Sequence, residues 1–262
     1  MEIRKFKNIE IKFSEGNHRY YVNDNGTKIS PSSVSGIIKA DDGFGIGAMA
    51  GRKNYLETLV EELPNTNILR INDLTDLQEK LFEIKKLAEK KWSDQAMIGT
   101  IIHNWIESFL KGNIAQDGYQ KGHSEQDNQI RLMQYKLYEY LNANIEKVHA
   151  TEYLVYDNAI LPYAGKFDAW INHKKYGECL VDWKTVTKKS NGKLWRIQLC
   201  GYMYALCNEL GREPFNRLIV AIDKQTKEIS EHLYDIDSYT KDLQIWKHYL
   251  QIHHFLKAKS DV

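Results

Sequence analysis

The stretch from Tyr153 to Lys184 most constrains this chain, because it sets strand-like segments side by side with only turns between them. Tyr153-Leu-Val-Tyr156 and Phe167-Asp-Ala-Trp-Ile171 are rich in β-branched and aromatic residues, and Asp157-Asn158 and Pro162 break the chain between them. His173-Lys-Lys-Tyr-Gly177 reads as a hairpin turn. Beyond it, apolar Leu180 and Val181 lead into Asp182-Trp183-Lys184 as into a buried strand. Asp168 and Asp182 thus fall on neighbouring strands, whose pairing sets both carboxylates at one edge of a sheet. With side chains alternating along a strand, Trp183 points to one face while Asp182 and Lys184 project together from the other.

An acid-x-Lys triplet alone decides nothing, since the pattern also occurs at Glu10-Ile11-Lys12, Glu83-Ile84-Lys85 and Glu89-Lys90-Lys91. The setting of Asp182, at the end of an apolar run and next to a second acid-bearing strand, is what separates it. Hard divalent cations prefer carboxylate oxygen, and magnesium keeps several waters when one or two carboxylates hold it. Such an ion offsets charge developing on a phosphodiester and lowers the pKa of an attacking water. Asp168 and Asp182 are therefore expected to hold Mg2+ or Mn2+, with the carbonyl of Trp183 as a further oxygen ligand. Lys184, a compact point charge, is expected to orient water or phosphate. The plainer alternatives are a turn acid for Asp168 and a structural ion pair between Lys184 and Asp182.

Helical spacing brings in further residues. Leu194 to Leu206 carries apolar residues at helical period, with Gln198 and Tyr202 four apart on one face. Met97 starts another amphipathic helix, on which His103 and Glu107 share a side. For His103 two readings stand: a metal ligand, which would suit manganese, or a hydrogen-bonded core residue. Glu107 is either a support to the site or a solvated helix acid. Glu152, at the head of the strand before Asp168, lines the same cleft if that strand is its neighbour.

In order along the chain, Gly99-Thr100-x-x-His103-x-x-x-Glu107, Gly165-x-x-Asp168, Asp182-x-Lys184 and Gln198-x-x-x-Tyr202 resemble the RecB-like branch of the PD-(D/E)XK nuclease superfamily. Arg19-Tyr-Tyr-Val22, a turn at Asn23 to Gly26 and Ile29-Ser-Pro31-Ser-Ser-Val34 are similar to the opening of the mitochondrial genome maintenance exonuclease family and its phage and bacterial relatives. The resemblance implies a restriction-endonuclease-like α/β fold: a mixed β-sheet flanked by helices, with an N-terminal β-hairpin and helical elaborations. It implies one nuclease domain over 1–262, divided into a lead-in (1–40), a helical insertion (41–95), a catalytic core (96–235) and a closing helix (236–262). By the same resemblance His103 contacts metal, Asp168 and Asp182 ligate it, Lys184 sits beside the attacking water and Gln198 steadies the site. Lys166-Phe167 stand where the superfamily's usual proline-aspartate pair would end, a variation common in the RecB-like branch. The expected activity is a Mg2+- or Mn2+-dependent DNA exonuclease on single-stranded or frayed ends. The alternatives are a catalytically silent DNA-binding or assembly module and a structure-specific endonuclease.

The remaining sequence sets bounds. A chain of 262 residues with 42% hydrophobic content can bury one substantial core. Formal net charge is only +1, so attraction to DNA must come from local patches. The best such patch is Lys188, Lys189, Lys193 and Arg196, for which a solvated loop is the alternative. Three cysteines without CxxC spacing, Cys179, Cys200 and Cys207, argue for a reducing compartment and against a zinc or disulfide framework, and are too few for an iron-sulfur cluster. The charged opening Met-Glu-Ile-Arg-Lys shows no signal peptide and no apolar run long enough for a membrane span, so a cytoplasmic protein is expected. Gly43, Gly45, Gly47 and Gly51 follow no strand and precede no Gly-Lys-Ser/Thr, and read as a flexible link. Leu74–Trp92, Asn128–Ile145 and Asp237–Ala258 read as helices, and Arg217–Ile222 with Ile229–Tyr234 as a strand pair. Tyr135, Tyr138 and Tyr140 read as core more readily than as a base-stacking surface.

Overall fold

The computed structural model describes residues 2–39, 74–113, 125–186 and 193–260. The chain divides into two compact units. One comprises Met1–Asp41 with Ile102–Val262 and the other Asp42–Ile101. The described part of the second unit is helical, with Ile84, Ala88 and Ile98 buried.

The first unit is mixed α/β and contains two sheets. The smaller is a meander of β1 (Glu2–Phe6), β2 (Ile9–Ser14), β3 (Arg19–Asp24) and β4 (Thr27–Ile29), antiparallel throughout. The β3–β4 hairpin sits where the sequence predicts it, with Gly26 at φ 89° in its turn, where a side chain would be strained. The two strands before it go beyond the expected hairpin. The second of them alternates polar with apolar residues, Ile9-Glu-Ile-Lys-Phe13, and buries Ile11 and Phe13 against Tyr20 and Val22.

The larger sheet runs β10-β9-β8-β7-β5, with β6 also paired to β7. Its strands are β5 (Ser32–Ser33), β6 (Ile145–Asp157), β7 (Tyr163–His173), β8 (Gly177–Val186), β9 (Asn216–Asp223) and β10 (Ile229–Tyr234). β6 pairs antiparallel along the whole of β7, so β5 and β8 must share the other edge. There β5 takes Tyr163 and Ala164, while β8 takes Ala169 to His173. Gly165 to Asp168 are left without a strand on that side. Past Val181, β8 runs on beside β9 alone, in parallel, as far as Val186. An opening in the sheet edge therefore lies where both acids fall.

The helices are α1 (Val34–Lys39), α2 (Leu74–Leu110), α3 (Glu125–Asn144), α4 (Lys193–Leu210) and α5 (Tyr239–Ser260). α4 makes the crossover that a parallel β8–β9 pair requires. A core of Phe167, Leu180, Leu199, Met203, Leu206, Ile219, Trp246 and Leu250 joins sheet, α4 and α5. The helices differ from the sequence reading mainly at α2, where the segments Leu74–Trp92 and Met97 onward are one continuous helix. Ser93 and Asp94, between them, are weak helix formers but lack the chain-breaking geometry of proline. None of the described helices is long and apolar enough to cross a membrane.

Candidate active site

The β7–β8 ladder ends at Ala169 opposite Val181, and the next pair in that register is Asp168 opposite Asp182. There a side chain replaces the backbone partner: Trp183 N–H donates to Asp168 Oδ2 at 2.7 Å. The carboxylate of Asp168 thus closes the end of the ladder, which ties its position to the backbone of the strand bearing Asp182. Trp183, expected to contribute its carbonyl, contributes its amide here.

Asp168 Oδ2 also lies 3.4 Å from His103 Nδ1 on α2. Burial alone would favour neutral Asp168, but His103, Lys184 and the Trp183 amide outweigh it and hold the carboxyl below its ordinary range. The converse holds for His103: burial opposes its charge, yet Asp168 and then Asp182 raise its pKa. The contact with a carboxylate accords with both readings of this histidine, a metal neighbour or a hydrogen-bonded core residue.

Asp182 is buried, and its Oδ2 lies 2.5 Å from Lys184 Nζ. The two side chains do project together, as strand alternation requires. Burial, and after it the neighbouring Asp168, drive the Asp182 carboxyl upward despite Lys184. Lys184 in turn is stripped of solvent but held protonated by Asp182 and Asp168. The two form a short ion pair, so Lys184 is the counter-charge of the buried carboxylate. Two facing carboxylates with opposed pKa shifts suit a hard cation. Among the described residues, however, no three His, Cys, Asp or Glu side chains form a ligand group. His103, Asp168 and Asp182 are strung along the opening, each held by a different protein partner.

The line continues onto α4. Lys184 Nζ reaches Gln198 Oε1 at 3.4 Å, and Gln198 Nε2 donates to Tyr202 Oη at 2.9 Å. Gly165 explains why Tyr202 can stand so near. A Cβ there would lie 2.5 Å from Tyr202 Cε1 and 2.9 Å from Val34 Cγ2. The glycine of Gly-x-x-Asp is thus a matter of room for the tyrosine that ends the Lys184–Gln198 chain.

Glu152 occupies the β6 position across from Asp168, between the pairs Thr151–Ala169 and Tyr153–Phe167, at φ 48°. It is gripped by Lys166 at 2.6 Å, and burial followed by repulsion from Asp168 pushes its carboxyl up to about 7. Lys166, which no local sequence signal marks, also holds Glu2 of β1 at 3.2 Å and lies over the Phe13 ring. Glu107 pairs with Lys111 one turn on, and otherwise reaches the site only through its field on Glu152.

One expected substrate contact, Arg196, is engaged elsewhere in the fold. Arg196 is two positions from Gln198, on the other side of α4, and its Nε lies 2.6 Å from buried Asp242, which also binds Arg217 at 2.8 Å. Its charge serves the packing of α4 on α5, because an unpaired buried Asp242 would be costly. Lys188 and Lys189 lie outside the described residues, as do the side chain of Lys193 and the segment read as a flexible link. Of the α3 tyrosines, Tyr135 is exposed, Tyr138 packs edge-on to Phe109, and Tyr140 donates to Glu231.

No family model matches the sequence, and no curated protein matches it. Among solved structures, the chain is similar to one described as "Crystal structure of SSO0001", with a TM-score of 0.35 and 15% identity over 77% of this chain and 85% of that one. At that level the likeness carries no argument, and the site rests on its own residues.

Proposed function

We propose that this protein is a metal-dependent DNA exonuclease of restriction-endonuclease-like fold, acting on single-stranded or frayed ends. The observation that carries the reading is the convergence of Asp168 and Asp182 at the end of the β7–β8 ladder, with Lys184 on one carboxylate and His103 on the other. One or two carboxylates suffice for magnesium, which keeps its remaining waters, so a closed three-ligand group is not required. Asp168 and Asp182 would hold the ion and His103 would adjoin it. When bound, Mg2+ or Mn2+ supplies Lewis acidity and eases deprotonation of water.

The protein's own groups do the rest. Lys184 offers a fixed positive charge to the scissile phosphate or to the attacking water, and Gln198 with Tyr202 restrains where that charge sits. Asp168, tied to the Trp183 amide, holds the edge of the site rigid. The preference for DNA ends rather than internal bonds comes from the family resemblance. A second reading, a silent DNA-binding module, is favoured by the direct Lys184–Asp182 contact and by the lack of a three-donor group among the described residues.

Labelled single-stranded, duplex and covalently circular DNA, each with magnesium, manganese or EDTA, tests the proposal. Metal-dependent degradation of linear strands with circles intact is the expected result. Cut circles make the protein an endonuclease, and binding without cleavage under either metal makes it the silent module.

A further inference from the structure

A polar cavity of about 390 Å³ is lined by none of the residues of the carboxylate site. His18 lines it from the turn before β3, Arg19 and Tyr20 from β3, Ser30 and Ser33 from the segment around β5, and Lys257 from α5. Two segments far apart in sequence thus bring three cation-capable side chains to one hollow, and no carboxylate stands among the described lining residues. For a chain of formal net charge +1, this is a marked local excess of positive charge. Arg19 has no ion pair with any described residue. Ser33 Oγ accepts from Gly36 N at 2.9 Å and lies 3.4 Å from Ser35 Oγ, so this hydroxyl is held within its own turn.

The placement is built in. His253 Nε2 and Ser32 Oγ are 2.8 Å apart, which fastens α5 to β5, and Lys257 follows His253 by one turn on the same face. Burial keeps His253 toward its neutral form, so the tie does not need a charge. β5 pairs with β7 at Ser33–Ala164, four residues before Asp168, or about 13 Å along the strand. Tyr20 spans the two regions, for it lines the cavity while its field is felt at Tyr202.

We infer that this cavity is an oxyanion site that takes a phosphate of the nucleic-acid strand whose scissile phosphodiester lies at Asp168 and Asp182. The oxyanion chemistry follows from the lining, and the assignment to a nucleic acid rests on the nuclease reading. The site would fix the strand's register, since phosphate contacts position rather than read sequence.

Binding in EDTA separates the two ideas. The probes are inorganic phosphate and short oligothymidylates with and without a terminal phosphate, against the wild type, Arg19→Ala/Lys257→Ala and a charge-matched control, Lys147→Ala/Lys241→Ala. All four side chains are exposed, so both variants should fold. The wild type and the control should bind inorganic phosphate saturably and the Arg19/Lys257 variant should not. For oligonucleotide, that variant should lose about 1.4 from the slope of log affinity against log salt, while the control keeps it. A wild-type preference for the terminally phosphorylated probe would assign the site to strand ends, and equal binding to internal phosphates. Unchanged phosphate binding and salt slope in the Arg19/Lys257 variant would overturn the inference even if the protein cleaves DNA. Loss of both in a protein that never cleaves would uphold the site and defeat the nuclease reading.

Discussion

Asp182 carries a clear conflict, being buried and adjacent to a second carboxylate, with one lysine against it. Such a group is held for what it binds rather than for stability. Asp182→Asn should lower metal-dependent cleavage by about 10³-fold, the worth of several kcal/mol at the transition state, while urea unfolding at pH 8 shows no loss of stability. Retained cleavage would move the site elsewhere. Glu152 offers a test of electrostatics apart from cleavage. Its folded value of about 7 lies above the ordinary 4.5, so its contribution to stability is complete below pH 4.5 and is lost as pH rises to about 7. The shift is worth roughly 3 kcal/mol. Urea titrations in EDTA should therefore show Glu152→Gln flattening the fall in unfolding free energy across that window. Asp168, whose carboxyl is lowered, acts in the other direction and only in stronger acid, where protonating it removes stability.

At the scale of elements, the opening exists because β7 shares one edge between β5 and β8 and neither covers Gly165 to Asp168. Gly165 lets Tyr202 fill part of that space. Gly165→Ala should cost about 1–3 kcal/mol in unfolding free energy as Tyr202 and Val34 give way. It should also slow cleavage by up to about 10²-fold, because the shift passes through Gln198 to Lys184. A stability loss with full activity would break the proposed link from Tyr202 to Lys184. Much of this region was legible in sequence. The turn at His173–Gly177 fixed which acids face each other, strand alternation placed Lys184 with Asp182, and helical spacing joined Gln198 to Tyr202. Partners remote in sequence were not legible. Nothing local announces that Lys166 will bridge Glu152 and Glu2, that the Trp183 amide will cap Asp168, or that Arg196 will be claimed by Asp242. The length of α2 was missed for a local reason, because Ser93-Asp94 resembles a helix start and only the surrounding chain decides otherwise.

Across the first unit, a buried ion cluster stands apart from the site. Arg217 is fully buried, and Asp242 holds it together with Arg196 where β9, α4 and α5 meet. Asp242→Asn leaves Arg217 buried without its counter-charge and should cost about 3–5 kcal/mol, read as a lower urea midpoint. Any protein that remains folded should keep its site chemistry, because Asp242 lies on the far side of α4 from Gln198. The two sheets meet chemically at Lys166, between Glu2 of the meander and Glu152 of the main sheet. The account as a whole depends on Asp168 and Asp182 acting as one cation site. Titrating Mn2+ into the wild type, Asp168→Asn and Asp182→Asn, followed by calorimetry, tests this most directly. Saturable binding in the wild type that disappears in both variants is the predicted result, and no binding, or binding unchanged by either substitution, would contradict it.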